Sequence, residues 1–520
     1  MPVITVISKE KITTFKVPLN KNVLNALREN GFLLSAPCGG KGVCGKCRIT
    51  ACSFLPTALD FKYLTPEELE QGIRLACDKF VDCDIEVQME ESVLSQIETG
   101  FTENTCDVRL GQEQKYAIAF DIGTTTIACY LLVPGLKPAV AGVIAAGNKQ
   151  VVYGADVITR IQYTMEYPYG LKQLNQCIIQ QIDRMCCEVL KRNAVAKESV
   201  HLLYFAGNTV MLHLLLGISP AGMGVAPYRV EFLQTQSVSA RELGITSLSE
   251  AQCFTAPCIS AFVGGDITCA ALACGAQNWQ KPSLLIDIGT NGEILAGDGH
   301  RYYCCSAAAG PAFEGGNLRC GMASVPGAVC HVSVKNGELI TETINDVRPL
   351  GICGSGMIDA VYCMLELGAI DETGYFDITN PFIQKKDGLE GFLLSDNVII
   401  TQKDIREFQL AKSAVRSAIE LLLKEAGWNA DTIETVYLAG GFGSRLDLEK
   451  CAVLGLFPKA FLDKIVTVGN ASGQGAVLAA ENYGSRQILN KFSQSVKNIE
   501  LAERMDFQEK FMEYIMFECD

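Results

Sequence analysis

Leu284-Leu-Ile-Asp-Ile-Gly-Thr-Asn-Gly-Glu-Ile294 decides the fold. Three apolar residues run into Asp287, a short polar turn follows, and apolar residues resume at Ile294. That pattern is a buried strand, a tight turn and a second strand: a hairpin with a carboxylate at its mouth. Tyr116-Ala-Ile-Ala-Phe-Asp-Ile-Gly-Thr-Thr-Thr-Ile-Ala128 repeats it around Asp121. Glycine lets a backbone approach a phosphate, threonine supplies hydroxyl and amide donors, and aspartate can hold a hydrated Mg²⁺. An ordinary hairpin with a solvated Asp explains one copy. Two copies in one chain point to two similar half-domains facing one another.

The rest of the chain suits a large globular protein. At 520 residues it has the length of three or four domains, with 48% hydrophobic and 20% charged residues. A net charge of −14 argues against a phosphate-backbone partner, so nucleic acid is not expected. The N-terminus lacks a signal-peptide layout, and no apolar run approaches the roughly 20 residues that span a bilayer. A cytoplasmic protein with no membrane partner is the expectation. Its 23 cysteines, without a secretory signal, read as reduced thiols and metal ligands rather than a disulfide framework. Cys186, Cys187, Cys269, Cys274 and Cys363 lie in apolar helical patterns and read as small buried hydrophobes. So many thiols also hint at an anaerobic cell.

Residues 1–90 form the first expected domain, with strand-like runs at Val3-Ile-Thr-Val-Ile and Thr14-Phe-Lys-Val and a helical segment from Asn22. Within it, Cys38, Cys44 and Cys47 follow a C-x5-C-x2-C spacing, and Cys77 lies further on. Four thiolates are what a [2Fe–2S] cluster needs, and the intervening glycines let backbone amides turn toward the sulfurs. The rival is a structural zinc site, which prefers two C-x2-C pairs where only one exists here. This stretch resembles the plant- and adrenodoxin-type ferredoxin domain, with those four cysteines on its ligand positions. Cys52 and Cys83 fall outside the pattern and read as structural. Residues 91–114 are polar without sustained periodicity and read as a linker.

Residues 115–280 and 281–490 are then expected as two α/β lobes, the second with the nucleotide site, followed by a C-terminal tail at 491–520. Amphipathic helices are expected near Leu171–Leu190 and Gln409–Gly427. Asp266 opens a small-residue helix, and residues 469–480 form another; alanines there allow the close packing that a hinge requires. A simple helix cap explains Asp266 equally well. Gly351-Ile-Cys-Gly-Ser-Gly356 reads either as an anion site at a helix start or as a tight strand-to-helix turn. Leu438-Ala-Gly-Gly-Phe-Gly443 is a strand running into a double-glycine turn.

Asp-x-Gly-Thr twice, a small-residue helix twice and a late Gly-Gly turn, in that order, resemble the acetate and sugar kinase, heat-shock chaperone and actin superfamily of ATPases. The resemblance implies an actin-like, ribonuclease-H-like two-lobed fold behind a β-grasp ferredoxin domain. It implies phosphate loops at Asp121, Gly123, Thr124 and Thr125 and at Asp287, Gly289, Thr290 and Asn291, with Mg²⁺ held by the two aspartates. It also implies an adenosine loop at Gly440, Gly441 and Phe442, and Asp266 or Glu293 positioning the attacking water. Joined to an N-terminal [2Fe–2S] domain, these motifs resemble the ATP-dependent reductive activators of corrinoid proteins in O-demethylase and related methyltransferase systems. That narrower resemblance implies a corrinoid-protein partner, a low-potential donor such as a ferredoxin or flavodoxin, and a homodimer. Its physical sense lies in the energetics: plant-type clusters sit near about −400 mV, and each further ~100 mV costs about 2.3 kcal/mol per electron. Two other readings remain at this level: an activator of another low-potential metalloenzyme, and a chaperone-like ATPase with a redox-sensing cluster.

Overall fold

The computed structural model describes residues 1–8, 11–32, 34, 36, 38–89, 115–133, 139–335, 337–386, 388–440 and 446–517. The segment read as a linker, 91–114, lies outside them.

The first 89 residues build a five-stranded sheet in the order Lys11–Lys16, Val3–Ser8, Ile85–Gln88, Arg48–Thr50, Ile73–Leu75. Val3–Ser8 pairs antiparallel with Lys11–Lys16 and parallel with Ile85–Gln88. The alternation in Val3–Ser8 turns Ile4 and Val6 into the core, where they meet Leu24 and Leu27 of the Val23–Glu29 helix. Asn22 caps that helix through its side chain and also donates to the Cys77 carbonyl at 2.9 Å. A buried ion pair, Asp60 with Lys79 at 2.5 Å, pins the other side of the segment carrying Cys77. Asp60 accepts from the Leu75 amide at 2.8 Å as well. The fourth cysteine is therefore held by tertiary contacts, as its distance in sequence from the other three requires.

The two hairpins found in the sequence sit at the centres of two six-stranded sheets. In the first, the order is Val140–Gly147, Thr126–Leu132, Tyr116–Ile122, Val200–Gly207, Gln252–Thr255, Ser237–Ser239. In the second it is Ile465–Gly469, Thr435–Ala439, Ser283–Ile288, Gly292–Gly297, Tyr302–Ala307, Val496–Asn498. Counting each sheet's strands in chain order from its Asp-bearing one, the first runs 3-2-1-4-6-5 and the second 6-3-2-1-4-5, so both share a 3-2-1-4 centre, with 1-2-3 an antiparallel meander and 1-4 parallel. The sequence repeat is thus a repeat of topology. The parallel pairing places the C-terminal ends of strands 1 and 4 side by side, where open α/β sheets put their ligand sites.

The expected amphipathic helices appear as Gly170–Arg192 and Gln402–Ala426, the latter ended by left-handed Gly427. The two small-residue helices cross between the lobes. Gly265–Ala273 contributes Ile267, Ala270 and Ala271 to a core shared with Leu285 and Leu295 of the second sheet. Ala471–Glu481 contributes Ala476, Val477 and Ala479 to a core shared with Ala117, Tyr130 and Tyr204 of the first. At their crossing a Cβ on Gly475 would lie 1.9 Å from the Cys269 carbonyl oxygen, so only glycine fits. Of the cysteines expected to be buried, Cys186, Cys269 and Cys363 are, whereas Cys187 and Cys274 are half-buried.

Two sequence readings change. Residues 491–517 are not a tail: Val496–Asn498 adds an edge strand to the second sheet, and Met505–Glu513 packs on the Gln402–Ala426 helix. Gln409 and Lys412 of that helix donate to the carbonyls of Ile515 and Met516. The mixed polarity of the segment hid this, because an edge strand and a one-sided helix bury little apolar surface. The Gly351–Gly356 run is a strand-to-helix turn. Gly354 already opens the Gly354–Glu366 helix, and a Cβ on Gly356 would lie 2.2 Å from the Val329 carbonyl oxygen. Close packing accounts for that glycine. Among the described residues no helix is long and apolar enough to cross a membrane.

Candidate functional site

Strand geometry carries Asp121 and Asp287 to the facing mouths of the two sheets. Each is the next-to-last residue of its strand: buried apolar neighbours precede it, and a turn follows. Asp287 pairs in register with Glu293 across its hairpin, whose turn Gly289-Thr290-Asn291 is closed by the Gly289 amide donating to the Asn291 carbonyl at 2.9 Å. Glycine is required beside Asp287. A Cβ on Gly440, whose φ is +93°, would lie 2.9 Å from the Asp287 Oδ1. Gly440 therefore backs the Asp287 carboxylate at the mouth of the second sheet. Gly441 and Phe442 lie outside the described residues.

Asp121 is gripped from the opposite lobe. Ser472 Oγ donates to its Oδ1 at 2.7 Å, and Asn470 Nδ2 donates to its Oδ2 at 2.9 Å. Both donors come from the start of the Ala471–Glu481 helix. Asp266 does not cap its helix, since Gly264 holds that position. Instead it sits in the first turn, with Oδ1 accepting from the Ile267 amide at 2.8 Å. Glu314, from the Gly-rich stretch of the second lobe, accepts from the Thr290 hydroxyl at 2.6 Å.

These carboxylates feel one another. Burial, and then the charges of Asp266, Asp121 and Glu314, push Asp287 up to about 7. Burial and the Asp121 charge raise Asp266 to about 7 against the Ile267 amide bond. Burial, then Asp266 and Asp287, hold Glu293 well above the usual carboxylate range. Asp121 and Glu314 are also raised by burial, opposed by their hydrogen bonds. Among the described residues no lysine or arginine is a leading influence on any of the five. A buried, all-oxygen, uncompensated set of this kind fits a hard divalent cation. Mg²⁺ characteristically takes one or two carboxylates and keeps waters and phosphate oxygens as its other ligands.

The loop at Asp121 is tied down by a residue the sequence did not flag. Arg160, fully buried, donates from Nε to the Gly154 carbonyl at 2.9 Å and from Nη2 to the Thr124 carbonyl. Burial lowers it to about 10. Asn148 secures the same loop, its side chain donating to the Gly123 carbonyl at 2.9 Å and its backbone amide to the Thr125 carbonyl at 2.7 Å. The carbonyls of Gly123, Thr124 and Thr125 are thus all held by donors from outside the loop.

In the N-terminal domain the four cysteines form two close pairs. Cys38 and Cys44 sulfurs are 3.3 Å apart, and Cys47 contacts Cys77. The amides of Gly40, Gly42 and Val43 donate to the Cys38 sulfur. Gly39, Gly40, Gly42 and Gly45 all have φ between +64° and +100°, which this inward-turned loop demands. Two close pairs of thiols suit two irons, each held by two thiolates. The loop lies against both lobes. Lys41 reaches Gln162 and Glu166 of the first lobe, and Lys46, between Cys44 and Cys47, donates to the Leu318 carbonyl of the second at 3.5 Å.

Comparison with known proteins agrees with this geometry. Residues 281–519 match the model of the C-terminal domain of RACo, the ASKHA domain; residues 116–278 match the RACo middle region, and residues 6–81 the 2Fe-2S iron–sulfur cluster binding domain. The chain is 32% identical over 421 residues to the corrinoid activation enzyme RamQ of Eubacterium limosum, covering 77% of this chain and 70% of that one. It belongs to the family of corrinoid-protein reductive activators. Another member, the [Co(II) methylated amine-specific corrinoid protein] reductase of Methanosarcina barkeri, is 27% identical over 388 residues, covering 69% and 68% of the two chains. The solved structure of a reductive activator for corrinoid, iron–sulfur protein superposes with a TM-score of 0.72 at 26% identity, covering 99% of this chain and 98% of that one. Asp121 and Asp287 lie at the mouths of the two central hairpins, and the four cysteines lie together in the N-terminal domain. Glu314, Asn470, Ser472, Arg160 and Lys46 are the additions. The sequence signals near them were the small-residue helix beginning near Asn470, the Gly-rich Ala309-Gly-Pro-Ala-Phe-Glu-Gly315 stretch that holds Glu314, and the helix start at Tyr153–Ile161 that holds Arg160.

Proposed function

We propose that this chain couples ATP hydrolysis to one-electron reduction of a corrinoid protein, returning Co(II) to Co(I) for methyl transfer in an O-demethylase or related methyltransferase system. The observation that carries the reading is the cleft: Asp121 and Asp287 arrive from equivalent hairpins of two lobes, with Asp266 and Glu314 between them. Phosphoryl transfer demands positioning and charge stabilisation more than covalent chemistry, and this set supplies both. Thr124 and Thr125 donate to the phosphates, Thr290, whose hydroxyl is held by Glu314, offers its backbone amide, and Asp121 and Asp287 hold a hydrated Mg²⁺. Asp266 is the better placed of the two water-positioning candidates. Glu293, 8% exposed and paired in register with Asp287, is held well above the usual carboxylate range by burial and supports the hairpin.

A [2Fe–2S] cluster on Cys38, Cys44, Cys47 and Cys77 supplies one electron at a time, replenished by a ferredoxin or flavodoxin. The protein's own part is mechanical. Arg160 joins the Thr124 loop to the Tyr153–Gly154 turn, which packs on the cluster loop at Gly39. Glu314 and Leu318 lie on one loop, so Thr290 at one end and Lys46 at the other are joined through it. Closing the cleft on ATP therefore moves both supports of the cluster loop. The assay is anaerobic: a cognate corrinoid protein, a low-potential reductant and Mg-ATP should give the Co(I) absorbance, and omitting ATP should leave mostly Co(II). Removing residues 1–90 should leave ATP hydrolysis but little Co(I). Equal Co(I) yields with and without ATP would favour the chaperone-like reading.

A further inference from the structure

A cavity of about 150 Å³ lies where the Val23–Glu29 helix of the N-terminal domain meets the first lobe. Arg28 and Lys21 line it from one side; Tyr153, Tyr163, Tyr167 and Gln173 line it from the other. Arg28 is only 5% exposed, and its guanidinium is half satisfied. Nη1 donates to the Gly39 carbonyl at 3.2 Å, and the group stands 5.9 Å over the Tyr153 ring. Nε and Nη2 are buried without a partner. Those two nitrogens form one edge of the guanidinium, the edge that grips a carboxylate or phosphate through two parallel hydrogen bonds. Among the described residues no carboxylate pairs with Arg28; the nearby Glu29 is taken by Lys21 at 2.6 Å. A buried cation whose bidentate edge is open needs an anion, and none of the described residues of either domain provides one.

We propose that this cavity binds a small oxyanion, phosphate or a small carboxylate, on the free edge of Arg28. Tyr153 and Tyr167 also line it, and the Tyr163 hydroxyl is held by Gln173 at 2.8 Å. Because Arg28 belongs to the cluster domain and the tyrosines to the first lobe, the bound anion ties the cluster domain to the ATPase body. Nothing in this inference depends on the acceptor of the electron.

Calorimetric titration of the full-length, cluster-loaded protein with inorganic phosphate, sulfate and acetate tests it. At least one of the three should bind at millimolar concentration. Arg28→Lys keeps the charge but loses the fork and should weaken binding at least tenfold, with the cluster absorbance confirming that the domain is folded. Gln173→Glu leaves the N-terminal domain untouched, still accepts from Tyr163, and should weaken binding comparably by repulsion. Thr290→Val should leave this binding intact. The proposal is overturned if none of the anions binds, if binding survives both cavity substitutions, or if Thr290→Val removes it, which would place the anion in the nucleotide cleft.

Discussion

Replacing Asp287 with Asn separates what the cleft needs from what it costs. In the folded protein Asp287 is raised from 3.8 to about 7 by burial and by Asp266, Asp121 and Glu314. Between those values the folded chain holds a proton that the unfolded chain has released, so stability falls as pH rises through that window. Above pH 7 the penalty is complete. Roughly three units at about 1.4 kcal/mol each make it on the order of 4 kcal/mol. Asn removes the charge without changing shape, and among the described residues no hydrogen bond to the Asp287 carboxylate is lost. Nucleotide-free Asp287→Asn should therefore melt higher than the parent at pH 8, by about 8 °C for domains of this size, and level with it near pH 4. Mg-ATP should raise the parent's melting point and not the variant's. ATP turnover should fall about 100-fold or more, with the cluster spectrum unchanged. Scanning calorimetry across pH 4–8 reads the first effect and steady-state phosphate release the second. A variant no more stable than the parent at pH 8 would refute the claim that the cleft is a site of uncompensated negative charge.

Serine at Cys38, Cys44, Cys47 or Cys77 should abolish or severely perturb the [2Fe–2S] spectrum, whereas alanine at exposed Cys52 should not; stoichiometric zinc in anaerobically purified protein would contradict the assignment. Arg160→Met strands the Thr124 and Gly154 carbonyls and should cost about 3 kcal/mol in urea unfolding, while weakening ATP binding. Unchanged ATP affinity would remove Arg160 from the phosphate loop's support. Lys46→Ala removes one hydrogen bond to the second lobe, worth about 1 kcal/mol. It should slow Co(II) reduction about fivefold, leave ATP turnover alone and leave the cluster spectrum intact; equal loss of both activities would mean that the contact is not part of the coupling.

By itself the sequence determined what is local. The strand–turn–strand signature at Asp121 and Asp287 needs only a dozen residues each, because apolar alternation, an acid and a glycine turn dictate a hairpin wherever they occur. Finding it twice gave the two-lobed fold. Cluster ligation was legible for the same reason: three of four cysteines lie within ten residues, on a glycine loop that turns amides toward sulfur. Tertiary structure decided the partners of those groups. Ser472 reaches Asp121 across 351 positions, and Lys46 reaches Leu318 across 272. Glu314 sits in an irregular stretch where periodicity carries no signal. Arg160 looks like any solvent-facing arginine of an amphipathic helix until the Tyr153–Gly154 turn folds over it. A side chain's chemistry is written in the sequence, but its charge state and its partner depend on what burial brings within about 3 Å.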